Sequence, residues 1–462
     1  MDYSDLRVTI IGMAREGMAV GRFLATHGAR VIISDIKSAA DLAKEVEELA
    51  EWPIECVLGH HPEDILDTDV VYVSPGVPRT IPILRQAKSR GVRISSETEL
   101  LFELCQAPII GITGSSGKTT TTTLIGEMME MEHPNGVWVG GNIGRPLIEY
   151  VGGDIKPSHW VVLELSSFQL EHMQCSPHIA LVTNLRPNHL DRHPSYEAYK
   201  EAKINVLAHQ RSGDIAVLNW DDPEVRVLAD RTAARVRWFS RQARLTSGDG
   251  AYVEDDWIVL KDGDTIQRVM PVASIKLPGK HNLENVLAAI SVVSAAHLQI
   301  SSAVDVAQTF KGVPHRLQTI RIREGVRWVN DSIATSPDRT LAALRAYPPK
   351  DSLILLAGGR DKHLPMEEMA QEIVQRVKHV IFFGEAGPLI EKEVQKARSE
   401  VTNSTVGISA CQTLEEAVVE ANQVAYAGDI VLLSPSGTSF DAYPNYEVRG
   451  EHFQELVMGL EG

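Results

Sequence analysis

The feature that most limits what this chain can fold into is a glycine-rich turn between a strand pattern and a helix pattern. Residues 111–122 read GITGSSGKTTTT and follow the short apolar run at 108–110. A buried strand that passes through such a turn into a helix gathers backbone N–H groups and the positive end of the helix at one point, where they can surround phosphate groups. The sequence therefore predicts an α/β domain with a nucleotide site, which we interpret as an ATP site.

The residue types inside this turn suit that interpretation. Lys118 supplies positive charge to the outer phosphates, and the Thr119 hydroxyl is a suitable ligand for Mg²⁺. The spacing departs from the common G-x-x-x-x-G-K pattern, since Ile112 stands where that pattern has glycine. The residues predicted to bind ATP here are Gly114, Ser115, Gly117, Lys118, Thr119 and Thr120.

Length and charge limit the class of protein. A chain of 462 residues predicts about three domains. Lys and Arg total 45 against 61 Asp and Glu, a net charge of −16, which argues against a general binder of nucleic acid or of anionic membranes. The four cysteines form no C-x-x-C pair, and no apolar run is long enough to span a bilayer. We expect a monomeric cytoplasmic protein with no membrane insertion.

The N-terminal residues show the pattern of a nucleotide-binding βαβ unit. A buried strand at 7–11 leads through the turn at 12–17 into a helix and a second strand, and Asp35 follows that strand. Ala14 occupies the place of the middle glycine in G-x-G-x-x-G, which disfavours a dinucleotide such as NAD or FAD. The segment 74–76 ends a later strand, and it is either a simple turn or part of a ligand-binding edge.

Two charged residues further along the chain have competing interpretations. Glu164 ends a buried apolar strand, a costly place for a carboxylate unless it meets a cation, so it is either a Mg²⁺ ligand or an ordinary strand-end acid. Ser195 is predicted to cap a helix that carries Lys200 and Lys203. Lysines there are usually surface charges, and a loop histidine such as His189 usually has a structural role.

The rest of the chain continues the α/β alternation. Residues 238–272 predict a small β-meander insert, and Asn282 and Asn285 either read a base or cap the helix that follows. A hairpin is predicted from strands at 319–323 and 326–330, followed by alternating helices and strands. The pattern therefore predicts three α/β units.

Ten motifs in this order resemble those of one known family: GITGSSGKTT, GGNIG, LELSSFQL, NHLDRH, YKEAK, HNLEN, PHR, NDS, AGGRDK and LLSPSGTSFD. The chain resembles the Mur ligase family of ATP-dependent enzymes that form peptide bonds, over essentially its whole length. The resemblance implies a Rossmann-like domain that binds a UDP substrate (1–107), a central P-loop ATPase-type α/β domain with a small β insert (108–312) and a Rossmann-like α/β domain that binds an amino acid (313–462).

The resemblance also implies roles for single residues. The catalytic residues would be Lys118, Glu164, His189 and Lys203. Two Mg²⁺ ions would be held by Thr119, Glu164, His189 and Lys203, with Lys203 carbamylated. Further ATP contacts would come from Asn282, Asn285, Arg316 and Asp331. The UDP substrate would contact Gly12, Met13, Ala14, Arg15, Asp35, Ser74, Gly76, Asn142 and His189, and the amino acid would contact Thr335, Lys362, Ser439 and Tyr446.

Within the family, the chain is most similar to members that add glutamate to UDP-N-acetylmuramoyl-L-alanine through an acyl phosphate in peptidoglycan synthesis, with D-glutamate as the expected isomer. The chain departs from that pattern in three places: Ile333 where lysine is usual, the pair Ile36-Lys37 where Thr-Arg is found, and Tyr446 where Phe is common. The alternatives are a Mur ligase for another amino acid or for L-glutamate, a folylpolyglutamate synthase-like ligase, or a nucleotide-binding protein without catalysis.

Overall fold

The computed structural model describes residues 2–187, 192–242, 244–245, 248–277, 279–348, 352–362, 364–401 and 405–460. The chain forms two compact units, Met1–Phe310 and Lys311–Gly462, which we call unit 1 and unit 2. The predicted α/β class is confirmed, because three sheets alternate with helices along the chain. Among the described residues, no helix combines the length and the apolar character needed to cross a membrane.

The first sheet of unit 1 is wholly parallel, with the strand order β3-β2-β1-β4-β5. Its strands are β1 (Arg7–Ile11), β2 (Arg30–Asp35), β3 (Ile54–Leu58), β4 (Val70–Val73) and β5 (Arg93–Ser95). Its helices are α1 (Arg15–Thr26), α2 (Ala43–Leu49), α3 (Pro82–Ser89) and α4 (Glu97–Leu104). The order reverses direction at β1 and β4, which brings the turns after these two strands together at one sheet edge.

The second sheet of unit 1 has nine strands in the order β14-β13-β12-β11-β10-β9-β6-β8-β7. They are β6 (Ile109–Thr113), β7 (Val137–Gly141), β8 (Trp160–Glu164), β9 (Ile179–Val182), β10 (Ile215–Asn219), β11 (Arg235–Ser240), β12 (Asp249–Glu254), β13 (Trp257–Asp262) and β14 (Thr265–Pro271). Strands β6 to β12 pair in parallel, whereas β12, β13 and β14 form an antiparallel meander. The predicted meander is present, but it extends the central sheet at one edge.

The helices of this part are α5 (Lys118–Glu130), α6 (Ser167–Leu170), α7 (Tyr196–Ala208), α8 (Pro223–Arg226), α9 (Lys280–Ala295) and α10 (Ile300–Thr309). One buried apolar cluster runs from the first sheet through the second, and it includes Val8, Ile33, Ile109 and Leu163. Ser195 caps α7 as predicted, since its side chain accepts a hydrogen bond from the Ala198 N–H at 3.1 Å. The two sheets of unit 1 therefore share a core.

Unit 2 is built on a six-stranded sheet in the order β15-β16-β20-β17-β18-β19. Its strands are β15 (Gln318–Arg323), β16 (Val326–Asn330), β17 (Ser352–Gly358), β18 (Val377–Phe383), β19 (Gly407–Ala410) and β20 (Asp429–Ser436). Its helices are α11 (Pro337–Arg345), α12 (Glu367–Arg376), α13 (Gly387–Glu400), α14 (Leu414–Val424) and α15 (Tyr446–Gly459). Strands β15 and β16 form the predicted hairpin, and the other pairs are parallel. Separate apolar clusters lie on the two faces.

Candidate active site

The glycine-rich turn joins β6 to α5, as the sequence predicts. Gly117 precedes the first turn of α5, and the Lys118 Nζ donates a hydrogen bond to the Gly114 carbonyl oxygen at 3.0 Å. Gly114 has a φ of +145°, and a Cβ there would lie 1.9 Å from the Thr183 Oγ1, so only glycine fits. The turn is therefore packed tightly against the end of β9, with the N-terminus of α5 open to an anion.

A chain of hydrogen bonds links the first turn of α5 to the end of β8. The Thr119 hydroxyl donates to the Glu164 Oε2 at 2.7 Å, and the Asn142 Nδ2 donates to the Glu164 Oε1 at 2.7 Å. Glu164 is 2% exposed and Thr119 is 6% exposed. A hydroxyl beside a buried carboxylate is an oxygen-rich donor pair of the kind that Mg²⁺ prefers, so these residues fit the ion implied by the sequence.

Lys203 is buried rather than exposed, so the interpretation of it as a surface charge is wrong. It is 2% exposed, its Nζ donates to the Thr113 Oγ1 at 3.3 Å, and it lies 4.9 Å from the centre of the Tyr199 ring. Burial and the nearby Lys118 hold the pKa of the Lys203 ammonium well below its ordinary value, although Glu164 opposes the shift. The side chain is therefore shifted towards the neutral amine, which is the nucleophilic form.

Lys200, on the same helix, behaves as the sequence suggests. Its Nζ lies 2.9 Å from the Glu224 Oε2, and its side chain is 21% exposed. His189 lies outside the described residues, so its predicted role stays a prediction.

Ser115 faces the protein rather than the opening of the turn. Its hydroxyl donates to the Arg186 carbonyl oxygen at 2.9 Å and accepts from the Tyr199 hydroxyl at 3.0 Å. Because Tyr199 also covers Lys203, it connects the glycine-rich turn with the buried lysine. Thr120 is half-buried on α5. Tyr199 lies on the helix that carries Lys200 and Lys203, and the sequence gave no sign of this link.

Asn282 and Asn285 lie inside α9, which begins at Lys280, so neither caps the helix as the simpler interpretation had it. The Asn285 Oδ1 accepts from the Thr121 hydroxyl at 3.2 Å, and its Nδ2 donates to the Asn282 Oδ1 at 3.2 Å. Asn285 thereby ties α9 to α5 directly behind the glycine-rich turn. A cap needs a residue just before the first turn, and Gly279 holds that position.

The predicted UDP residues gather at the reversal point of the first sheet. The Ser74 hydroxyl donates to the Gly12 carbonyl oxygen at 2.9 Å, and the Met13 N–H donates to the Asp35 Oδ2 at 2.8 Å. Gly17, in the first turn of α1, lies so close to this turn that a Cβ on it would be 2.2 Å from the Gly12 oxygen. The turns after β1 and β4 are thus joined, as expected for a ligand-binding crevice.

This edge also contacts loops that follow β7 and β9 of the second sheet. The Arg15 Nη1 donates to the Gly144 carbonyl oxygen at 2.6 Å, and the Arg192 Nη2 donates to the Gly76 carbonyl oxygen at 3.3 Å. Ala14 is exposed at the N-terminus of α1, and Asn142 follows β7. Residues predicted to bind the UDP substrate and residues predicted to hold Mg²⁺ therefore lie within one unit.

The predicted residues of unit 2 lie at the carboxyl ends of its parallel strands. The Lys362 Nζ donates to the Thr335 Oγ1 at 3.3 Å, and Ser439 is 2% exposed after β20. Tyr446 opens α15, and its carbonyl oxygen accepts from the Ser332 hydroxyl at 2.8 Å.

Two further predicted residues flank the β15–β16 hairpin: Arg316 precedes β15, and Asp331 follows β16. Asp331 accepts from the Ser434 hydroxyl at 2.9 Å, and burial raises the pKa of its carboxyl to about 7 against the opposing effects of that bond and of the Arg316 charge. Arg316 itself is exposed.

Arg449 is a residue that the sequence gave no reason to single out. It is fully buried on α15, and its guanidinium donates to the Ser332 hydroxyl and carbonyl oxygen and to the carbonyl oxygens of Gly437 and Thr438. It therefore fixes the two loops that carry Ser332 and Ser439. A single arginine in an amphipathic helix normally indicates a surface position, so no sequence signal was available.

The fold and this site define a class: an α/β protein with a P-loop-type phosphate-binding turn between a strand and a helix. Three family profiles match the chain: a Mur ligase MurD-like N-terminal domain at residues 6–96, the Mur ligase middle domain at 112–293 and the Mur ligase glutamate ligase domain at 315–437. The chain belongs to the Mur ligase family.

Individual relatives are similar to this chain over its full length. The chain is 42% identical over 98% of its length to the UDP-N-acetylmuramoylalanine–D-glutamate ligase of Symbiobacterium thermophilum, 98% of which is covered. It is 39% identical to the enzyme of the same name from Clostridioides difficile, with both chains fully covered. In fold it resembles the UDP-N-acetylmuramate–alanine ligase MurC of Thermotoga maritima, with a TM-score of 0.55 at 18% identity over 98% of this chain and 99% of that one.

Proposed function

We propose that the protein joins D-glutamate to UDP-N-acetylmuramoyl-L-alanine, with conversion of ATP to ADP and phosphate, in peptidoglycan synthesis. The observation that carries this proposal is the 42% identity, across the whole chain, to a relative named for that reaction. The geometry supports it, since a P-loop, a buried carboxylate and a buried lysine meet in one place. We keep the domain boundaries 1–107, 108–312 and 313–462, and the monomeric state, as parts of the proposal.

The reaction needs activation because a carboxylate is a poor electrophile. In our proposal, the alanine carboxylate of the nucleotide substrate attacks the γ-phosphorus of ATP, ADP leaves, and an acyl phosphate forms. The amine of glutamate then attacks the acyl carbon, phosphate leaves with the C–O electron pair, and the amine loses a proton. This chemistry demands neutralised charge and close positioning more than a nucleophilic side chain.

Lys118 and the N–H groups at the start of α5 supply that neutralisation in the proposed mechanism. The helix N-terminus is pre-positioned by tight packing, so these dipoles need no reorganisation when negative charge moves between the phosphates. Lys118 starts from a hydrogen bond to a carbonyl oxygen, which a phosphate oxygen would outcompete because it is charged.

Thr119, Glu164 and Lys203 would hold Mg²⁺, with His189 as a further ligand. When bound, Mg²⁺ neutralises phosphate charge and polarises the phosphoryl oxygens. The Thr119 hydroxyl and the Glu164 carboxylate already share a 2.7 Å contact, so each is oriented towards a common position. Two ions are proposed because the resemblance to the Mur ligase family implies two.

An ammonium at Lys203 would repel a cation, whereas a carbamate would bind it. The neutral Lys203 amine attacks CO₂, a nitrogen–carbon bond forms, and one proton is released, which turns the neutral amine into an anionic carbamate. The lowered pKa of Lys203 favours this step because the reacting form is the free amine. The modification is part of the proposal.

The deciding experiment is a phosphate-release panel with the purified protein, ATP and Mg²⁺. UDP-N-acetylmuramoyl-L-alanine and other UDP-sugar peptides are each paired with D-glutamate, L-glutamate, alanine or diaminopimelate, and a folate acceptor is included. We expect release only with UDP-N-acetylmuramoyl-L-alanine and D-glutamate together. Equal release with L-glutamate would refute the stereochemical assignment, and release with only a folate acceptor would refute the reaction. Failure of every pair would favour a binding protein without catalysis.

A further inference from the structure

A three-residue turn after β16 in unit 2, residues 333–335, is fixed by backbone hydrogen bonds from several directions. The Thr335 N–H donates to the Ile333 oxygen at 2.9 Å, and the Ile333 N–H donates to the His315 oxygen at 3.1 Å. The Ser436 N–H, at the end of β20, donates to the Ala334 oxygen at 2.9 Å. This turn is therefore a rigid platform at the carboxyl ends of two paired strands.

Two cationic side chains are attached to this platform, one at each end. Arg339, an exposed residue in the first turn of α11, donates from its Nη1 to the Ile333 carbonyl oxygen at 2.9 Å. Lys362, which follows β17, donates from its Nζ to the Thr335 Oγ1 at 3.3 Å. The two charges thus come from different elements and converge on three consecutive residues.

The convergence of these charges has an electrostatic cost in the protein alone. Within the described part of the chain, neither Arg339 nor Lys362 forms a salt bridge with a carboxylate. The pKa of Lys362 is lowered by burial and then by the charge of Arg339, and Asp338 opposes this only in part. Two like charges held together favour binding of an anion between or beside them, since the anion relieves the repulsion.

We propose that Arg339 is a specificity-determining residue whose guanidinium binds one carboxylate of the incoming glutamate, beside Lys362. The inference rests on the proposed function and adds a residue to the glutamate site. A planar guanidinium can donate two parallel hydrogen bonds to a carboxylate, which fixes its orientation as well as its charge. An amino acid with one carboxylate leaves one of the two cations without an anion, so the pair selects a dicarboxylic amino acid.

The neighbouring charges support this choice of residue. Arg449 is also close enough to lower the pKa of Lys362, but its guanidinium is fully buried and occupied by the oxygens of Ser332, Gly437 and Thr438. Ile333 carries no charge of its own, and its contribution is the carbonyl oxygen that holds Arg339 in place. Arg339 is therefore the exposed cation that lies beside Lys362 on this platform.

The test uses the full chain and the variants Arg339→Gln and Arg339→Lys. Arg345→Gln is the matched control, because Arg345 lies on the same helix and pairs instead with Glu368 and Glu372. Steady-state phosphate release gives the KM for D-glutamate, for ATP and for UDP-N-acetylmuramoyl-L-alanine, and kcat/KM for D-glutamate relative to D-glutamine. Thermal melting of each variant monitors folding.

We expect Arg339→Gln to raise the KM for D-glutamate about 10- to 100-fold, the usual effect of a lost hydrogen bond between charged groups, and to reduce the preference over D-glutamine. The KM values of the other two substrates and the melting temperature should stay unchanged, and Arg339→Lys should be intermediate.

An unchanged KM for D-glutamate, or a rise in all three KM values with a lower melting temperature, would overturn the inference. If the unmodified protein itself shows no glutamate-dependent release, the proposed function fails and the inference fails with it.

Discussion

At the scale of single residues, the site depends on where positive charge lies relative to the phosphates. Lys118 opens α5 beside the glycine-rich turn, and Lys203 is buried next to it with a lowered pKa. Two ammonium groups so close to each other are unfavourable, and the pKa of Lys203 is the one that is lowered, which shifts it towards the neutral amine. In our proposal, Lys118 supplies the positive charge for the phosphates.

Replacement of Lys118 by Ala should remove most of the transition-state stabilisation. We expect kcat to fall by about 10³-fold or more, because charge that develops on transferring phosphoryl oxygens loses its fixed partner. Steady-state phosphate release measures the effect. Lys156→Ala, at an exposed position on another loop, is the control and should keep normal activity. A Lys118→Ala enzyme with near-normal kcat would mean that the nucleotide binds elsewhere.

Replacement of Lys203 by Ala tests the carbamate. We expect kcat to drop by about 10²-fold or more, since a metal ligand is lost, and a short carboxylic acid added to the buffer should restore part of it by taking the vacant position. Lys200→Ala serves as the control on the same helix, because Lys200 pairs with Glu224 instead. Full activity of Lys203→Ala would exclude the bridging role, and mass spectrometry of the intact protein under CO₂ would test for the adduct.

The sequence predicted the residues of the turn but few of the links between side chains. Lys118, Thr119 and Glu164 could be placed because strand ends and helix starts are local patterns, and parallel strands bring them to one edge. The buried state of Lys203, the anchoring by Arg449 and the position of Arg339 depend on which distant segments pack together. A lysine or arginine on a helix has the same local pattern whether it faces solvent or core.

At the scale of elements, helices α1 and α4 place two carboxyl groups against each other. Glu16, in the first turn of α1, and Glu97, in the first turn of α4, line the same small cavity beside β1 and β4. The Glu16 Oε1 accepts from the Gln169 Nε2 at 3.2 Å, and its buried Oε2 has no hydrogen-bond partner among the described residues. A buried carboxyl in this state favours its protonated form.

The buried carboxyls of Glu16 and Glu97 predict that the free energy of unfolding falls as the pH rises. Burial, opposed by Arg15 and Gln169, raises the pKa of Glu16 to about 7, and burial together with the Glu16 charge raises that of Glu97 to about 8. In the unfolded chain both titrate near 4.5. Between about pH 4.5 and 8 the folded state therefore binds more protons than the unfolded state, and its free energy of unfolding decreases with rising pH.

The Glu16→Gln variant removes one of these groups and keeps the hydrogen-bonding shape. We expect its melting temperature to be a few degrees above that of the unmodified protein at pH 8.5, and the difference to shrink towards pH 5, where both carboxyls are neutral. Calorimetric scans from pH 5 to 9 measure the slope. Glu47→Gln, an exposed site on α2, is the control and should leave the slope intact. Parallel slopes for Glu16→Gln and the unmodified protein would show that the pair is not protonated.

The elements themselves were largely predictable, with errors that have physical reasons. The β15–β16 hairpin, the strands of the βαβ units and the Ser195 cap follow from local alternation and capping chemistry. The start of α9 was misplaced, because Gly279 rather than an asparagine precedes its first turn. The meander β12–β14 was predicted as an insert, since no local pattern shows that β12 pairs in parallel with β11.

At the scale of the whole molecule, the proposed functions are divided between two units that each have a core. Unit 1 carries the glycine-rich turn, Glu164 and Lys203, and its buried cluster runs across both of its sheets. Unit 2 carries Thr335, Lys362 and the buried clusters on both faces of its own sheet. Each unit has a buried apolar core of its own, and the residues proposed for the reaction are divided between the two.

We therefore expect the fragments 1–310 and 311–462 to fold separately and to lack ligase activity. Each should show a cooperative thermal transition by circular dichroism, because its core is complete. Fragment 1–310 should bind a nonhydrolysable ATP analogue with Mg²⁺, because the glycine-rich turn lies within unit 1, and calorimetry measures the affinity. It should release no phosphate with both substrates present, since the glutamate site is absent. Glutamate-dependent release by fragment 1–310 alone would show that the amino acid binds in unit 1, and that the roles proposed for Thr335, Lys362 and Arg339 are wrong.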